Sequence, residues 1–128
     1  MKIKDAELKS VVKKIRKDRD AIAIVLFGSY ARNKGYARDI DLCVFLDKNY
    51  SSKELFKKRI GYLTGLPDKF DIQIFQQLPL YVRISVLKEG KFLFSKDKKR
   101  IYDTAYETLK SYNFFEKHYK GYIEQIKK

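Results

Sequence analysis

The apolar positions change period several times along this chain. Leu8, Val11, Val12 and Ile15 recur at helical spacing among Lys, Arg and acidic residues, which predicts an amphipathic helix over residues 5–18. Residues 21–27, AIAIVLF, form an unbroken apolar run with β-branched members, ended by Gly28 and Ser29; this is the pattern of a buried strand entering a tight turn. The SYARNK that follows, residues 29–34, suits the first turn of a helix. A second strand is predicted over 39–47, DIDLCVFLD. It alternates Asp39, Asp41, Cys43 and Phe45 on one face with Ile40, Leu42, Val44 and Leu46 on the other.

Ser51 and Glu54 form a capping box for a helix that carries Phe56, Ile60 and Leu63 on one side and stops near Gly65-Leu66-Pro67. A third strand, FDIQIF, sets Asp71, Gln73 and Phe75 against Phe70, Ile72 and Ile74. Pro79 suits the first turn of a helix and Gly90 its end, so PLYVRISVLKE is a short helix, followed by the small strand KFLFS. The remainder, from Lys98 to Gln125, is one long helix. Ile101, Ala105, Tyr112, Tyr119, Ile123 and Ile126 hold one face, and Tyr102, Tyr106 and Leu109 widen the apolar arc. That arc is the core face of an aromatic-rich helix, or part of it docks another chain.

A chain of 128 residues is long enough for one compact domain and short for two, so a single domain over residues 1–128 is expected. No repeat, low-complexity tract or linker interrupts it. Twenty-nine Lys and Arg against sixteen Asp and Glu give a formal charge of +13. Such an excess favours a polyanionic partner (nucleic acid, an acidic protein or nucleotide phosphates) or serves solubility along solvated helical faces. The lone Cys43 has no internal disulfide partner and sits within an apolar run, where it reads as a small buried hydrophobe. No apolar run approaches the ~18 residues of a membrane span, and MKIKDAELK lacks the apolar core of a signal peptide. A cytoplasmic protein without membrane contact is expected.

Against this basic background, Asp39, Asp41 and Asp47 stand together with no Lys or Arg between them. On a strand, residues two apart project to one face about 6.6 Å apart. Two ionised carboxylates there repel unless a cation neutralises them, and all-oxygen ligands suit Mg²⁺ that is also held by substrate phosphates. Asp71 can complete a cluster of carboxylates if the two strands are neighbours. Gly28-Ser29 supplies a complementary half, because a strand turning into a helix at Gly exposes backbone N–H groups where a phosphate is favoured. Arg32 and Lys34 follow within reach of phosphate charge. Either piece alone is common; strand, Gly-Ser, spacer, Asp-Ile-Asp-Leu, strand and a further Asp on the next strand is a far more specific combination.

That combination resembles the polymerase-beta-type nucleotidyltransferase superfamily, whose signature is an apolar residue, Gly-Ser, a spacer and Asp-apolar-Asp. The chain is similar to its smallest members, the minimal nucleotidyltransferases, over nearly its full length: a short helix, GSYAR, DIDL, FDIQIF, a PL helix, a Gly-Lys-Phe-Leu-Phe strand and a helical tail. The resemblance implies an α/β fold with a mixed β-sheet flanked by helices and a long C-terminal helix. It implies ATP as substrate, with the triphosphate over Gly28 and Ser29 and with Arg32 nearby. It further implies two Mg²⁺ ions on Asp39 and Asp41, and Asp71 as third carboxylate ligand and general base. Many such proteins are antitoxins that pair with a helical HEPN-type ribonuclease toxin and transfer AMP to a tyrosine on it. The resemblance thus implies a hetero-oligomer with such a toxin, with nucleic acid not required.

This chain departs from the pattern at Arg38, where relatives usually have Ser, and in a spacer at the short end of the family's range. The toxin's own pattern needs an Arg several residues before its His; Lys110 to Lys117, before the single His118, contain none, and His118 reads as a surface or interface residue. Three alternatives stay open at this stage: an antitoxin acting by binding alone, a small-molecule nucleotidyltransferase, and sequence-independent RNA binding through the basic surface.

Overall fold

The computed structural model describes residues 5–32 and 39–127. The chain runs α1 (Asp5–Arg16), β1 (Ala21–Phe27), α2 (Gly28–Arg32), β2 (Ile40–Leu46), α3 (Ser52–Leu63), β3 (Phe70–Ile74), a 3₁₀ turn (Phe75–Gln77), α4 (Leu80–Glu89), β4 (Lys91–Ser95) and α5 (Lys98–Lys127). The strands form one mixed sheet in the order β3-β2-β1-β4. β1 pairs antiparallel with both β2 and β4, whereas β2 and β3 are parallel, with α3 as the crossover. Among the described residues no helix is long and apolar enough to cross a membrane.

The two faces of the sheet carry separate cores. Ile40, Leu42 and Val44 of β2, with Phe70, Ile72 and Ile74 of β3, pack against Val11 and Ile15 of α1 and Leu55 and Tyr62 of α3. Val25, Cys43 and Phe45 face the other way, against Phe75, Val86 of α4 and Ile101 of α5. β1 and β2 are therefore buried on both sides, which is why AIAIVLF is continuously apolar and why Cys43 is wholly buried. Burial pushes the Cys43 thiol pKa upward.

Several expected boundaries shift for local reasons. α1 ends at Arg16, because Asp18 accepts a hydrogen bond from the Asp20 backbone N–H at 3.0 Å and turns the chain into β1. β3 ends at Ile74: Phe75 leaves the strand to stack on Phe45 at 4.1 Å, and the Leu78 N–H closes the turn onto the Phe75 carbonyl at 3.1 Å. Ser51 caps α3 as the sequence suggested, with its hydroxyl also donating to Glu54 Oε1 at 3.1 Å. The Ser51 side chain accepts from the Glu54 N–H at 3.2 Å.

The inward face of α3 differs from expectation. Of the expected set, Phe56 and Ile60 are exposed and Leu63 is half-buried against the core, while the buried positions are Leu55 and Tyr62. The helix is rotated because Tyr62 docks its hydroxyl on Asp18, with Lys58 of the same helix 2.7 Å from that carboxylate. Asp20 joins this network through Tyr50 and Lys58. Burial of Asp18 raises its pKa, but the hydrogen bonds from Lys58, Tyr62 and the Asp20 backbone outweigh it and leave the carboxyl more acidic than usual.

On α5, Ile101 and Thr108 are buried with Ala105 and Tyr112 half-buried, so the expected inward face is present in the first half of the helix. Tyr102, Tyr106, Leu109 and Ile126 face solvent. The side chains of Tyr119, Ile123 and His118 lie outside the described residues. Arg100 ties α5 to the end of β2 through Asp47, 2.8 Å from Nε to Oδ1.

Candidate active site

Sheet register brings the two halves of the sequence motif together. Phe27, the last residue of β1, is opposite Asp41 in β2, and Asp41 is in turn opposite Asp71 in β3. The chain leaves β1 at Gly28 with φ +78°, a conformation that an L side chain adopts only at a cost. A Cβ at Gly28 would lie 2.3 Å from Oδ2 of Asp41 and 3.2 Å from its Cγ. The backbone of the Gly-Ser turn thus lies close against the Asp41 carboxylate, which any side chain at this position would displace. Ser29 follows in α2 and is half-buried.

Of the residues singled out in the sequence, Gly28, Ser29, Asp41 and Asp71 gather at this end of the sheet. Asp39 immediately precedes β2 and is exposed. Arg32 ends α2, with its side chain outside the described residues; Lys34 and Arg38 lie outside them altogether. Among the described residues no three His, Cys, Asp or Glu side chains converge closely enough to hold a cation by themselves.

The Asp71 carboxylate is instead bound by protein donors. Arg59 of α3 places its Nη2 3.0 Å from Oδ1 and donates from Nε to the Ile72 carbonyl at 2.7 Å. Gln73, two residues along β3, donates from Nε2 to Oδ2 at 2.9 Å. Gln73 was legible as a same-face neighbour of Asp71. Arg59 was not, since one more cation on a Lys- and Arg-rich helix carries no local signal of its partner.

The donor set suits a hard cation. Carboxylate oxygens at Asp39, Asp41 and Asp71 match Mg²⁺, which typically takes one or two carboxylates and completes its shell with waters and substrate phosphates. Part of the basic excess lies elsewhere: Lys9, Lys13, Arg16 and Lys17 rim a groove floored by Leu8, Val12 and Leu93, between α1 and β4.

The family described as "Polymerase beta, Nucleotidyltransferase" matches residues 9–99, a span that includes Gly28, Ser29, Asp39, Asp41 and Asp71. A protein of Methanocaldococcus jannaschii named "Putative protein adenylyltransferase" is 40% identical over 76 residues, 58% of this chain and 56% of that protein. The chain thus spans little more than half the length of this curated relative. A chain in the solved structure of tri-AMPylated Shewanella oneidensis HEPN toxin in complex with MNT antitoxin superposes with a TM-score of 0.71 at 17% identity, covering 98% of this chain and all of that one. A chain of a toxin-antitoxin structure with AMP-PNP gives a TM-score of 0.70 at 16% identity, over 98% of this chain and 100% of that chain. At such identities these two likenesses speak for the fold. With the family match extending over most of its length, and the Gly-Ser turn seated on the first of two register-matched aspartates, the chain belongs to the polymerase beta nucleotidyltransferase family.

Proposed function

We propose that this protein, as a single domain over residues 1–128, is a Mg²⁺-dependent protein adenylyltransferase. It transfers AMP from ATP to a tyrosine hydroxyl of a HEPN-type ribonuclease toxin and thereby acts as its antitoxin in the cytoplasm. The observation that carries the reading is the contact of the Gly28 turn with Asp41, in register with Asp71. The likeness to the MNT antitoxin solved with an AMPylated Shewanella oneidensis HEPN toxin, and to the Methanocaldococcus protein named as an adenylyltransferase, supports the choice of AMP as the group transferred and of a HEPN-type toxin as its acceptor.

In this reading Gly28 and Ser29 offer backbone N–H groups and a hydroxyl to the triphosphate, and Arg32 supplies countercharge. Asp39, Asp41 and Asp71 would hold two Mg²⁺ ions, whose chemistry is to neutralise charge on the phosphate oxygens and lower the pKa of the attacking hydroxyl. The acceptor oxygen bonds to the α-phosphorus, the bond to the β-phosphate oxygen breaks, and pyrophosphate leaves. Asp71, at the outer strand, accepts the hydroxyl proton.

The test is label transfer with purified protein, Mg²⁺, a cognate toxin and ATP labelled at the α or γ phosphate. Label from the α position alone, lost in Asp39→Asn with Asp41→Asn, is expected. Unchanged transfer by that double variant would refute the assignment.

A second reading has its own observation. Tyr102, Tyr106 and Leu109 form an exposed row on α5, and this row can cover a partner without chemistry. It predicts that the double variant still neutralises the toxin and that ATP is dispensable.

A further inference from the structure

Arg59 stands apart from the other cations of the molecule. α3 packs on the sheet face covered by Phe70, Ile72 and Ile74, whereas Asp71 and Gln73 alternate with these residues and project to the opposite face. Arg59 therefore crosses the β3 edge of the sheet to reach a carboxylate rooted on the far side. It arrives held at two points, by the Ile72 carbonyl at 2.7 Å and by Asp71 Oδ1 at 3.0 Å. A guanidinium is suited to this, because its rigid fork offers several donors in one plane. Gln73 engages the other carboxylate oxygen at 2.9 Å. Each oxygen carries two acceptor sites, so these two bonds fix the orientation of the carboxylate and still leave one acceptor site on each oxygen.

We propose that Arg59 is the positioning residue for Asp71: from the opposite face of the sheet it fixes the carboxylate beside Asp41 and so prepares it to take a divalent cation. The proposal rests on the nucleotidyl-transfer reading of the carboxylates. It deepens that reading by naming an outer partner on an element that carries no motif residue. Its physical basis is general, since partners that hydrogen-bond a ligating carboxylate orient it and tune its affinity. A purely stabilising role is disfavoured by exposure. The side chains are 30% and 41% exposed, and an ion pair so open to solvent contributes at most about 1 kcal/mol. For the same reason, substitution of Arg59 leaves the fold standing.

The test uses the full chain with Arg59→Met and Arg59→Lys. Mn²⁺ alone is titrated and read by loss of the free-ion electron paramagnetic resonance signal; label transfer is measured in parallel, and Arg59→Met is crystallised without metal. Arg59→Met is expected to weaken Mn²⁺ binding by about ten- to a hundredfold and to lower kcat by a similar factor, with the KM for ATP unchanged. Arg59→Lys, which keeps the charge but loses the two-point anchor, recovers only part of either quantity. Unchanged or tighter Mn²⁺ binding in Arg59→Met would overturn the proposal, since Asp71 would then be ready for the cation without Arg59, as would full rescue by Lys, which would make Arg59 a mere countercharge. If the unaltered protein neither binds Mn²⁺ nor transfers label, the nucleotidyl-transfer reading fails. The crystal structure then decides the positioning role: a rotated Asp71 carboxylate in Arg59→Met supports it, and an unmoved one refutes it.

Discussion

Gly28→Ala separates the structural cost of the Gly-Ser turn from its functional cost. At φ +78° an alanine has a left-handed backbone, which costs about 1–2 kcal/mol. Reduced freedom of the unfolded chain returns roughly 0.4–1 kcal/mol, leaving a net loss of about 1 kcal/mol. The added methyl then meets Asp41 Oδ2 at 2.3 Å, and ordinary van der Waals separation requires about 1 Å of displacement. Asp41 can make that movement by turning about its own Cα–Cβ bond, since its Cβ is already 3.4 Å away. The protein therefore yields at the carboxylate rather than at the sheet. For groups that must meet a phosphate in one geometry, a 1 Å misplacement is worth about 10²-fold in rate. The expected result is a small shift in urea midpoint together with a fall of about a hundredfold in transfer of α-labelled AMP. A variant that transfers at the normal rate while showing the small stability loss would refute the placement of Asp41 in the chemistry.

Other perturbations have different signatures. Gly90→Ala has no backbone strain, since φ is −70°, but its methyl would lie 2.4 Å from Val25 Cγ1 and 2.5 Å from the Val86 carbonyl oxygen; overpacking of about 1–3 kcal/mol should appear in urea denaturation with the kcat of the folded fraction unchanged, and an unaltered midpoint would contradict it. The Asp18 carboxyl is more acidic in the folded chain than in the unfolded one, so the stability it contributes is complete above the unfolded pKa of about 3.9 and is lost as pH falls through the folded value. Asp18→Asn should cost about 1–3 kcal/mol at neutral pH and flatten the acid limb of stability below pH 4; an acid limb as steep as before would show that Asp18 does not contribute to it. Cys43, buried and with its thiol pKa pushed up, should resist an aromatic disulfide reagent in the native protein and react once guanidinium unfolds it; rapid labelling of the folded chain would contradict its burial on the face of β2 covered by α4 and α5.

The order of elements was legible in the sequence because period and punctuation are local properties. A buried strand between two helical layers must be continuously apolar, as AIAIVLF is, and Ser51 with Glu54 marks the start of α3 through bonds spanning three residues. Gly28, Asp41 and Asp71 could also be picked out, since Gly-Ser and Asp-Ile-Asp are short-range patterns at strand ends. What they lacked was distance. Sheet pairing places Asp71 beside Asp41 across 30 positions of chain, and strand order is decided by long-range packing that no window of sequence contains. The face of α3 followed the same rule. Phe56 and Ile60 looked inward by hydrophobicity, but the docking of Tyr62 and Lys58 on Asp18 turned Leu55 to the core and Arg59 toward the sheet edge. The local pattern thus determined which residues have chemistry to offer, and only the tertiary structure decided their partners, because a helix's rotation and a sheet's register are fixed by contacts between segments far apart in the chain.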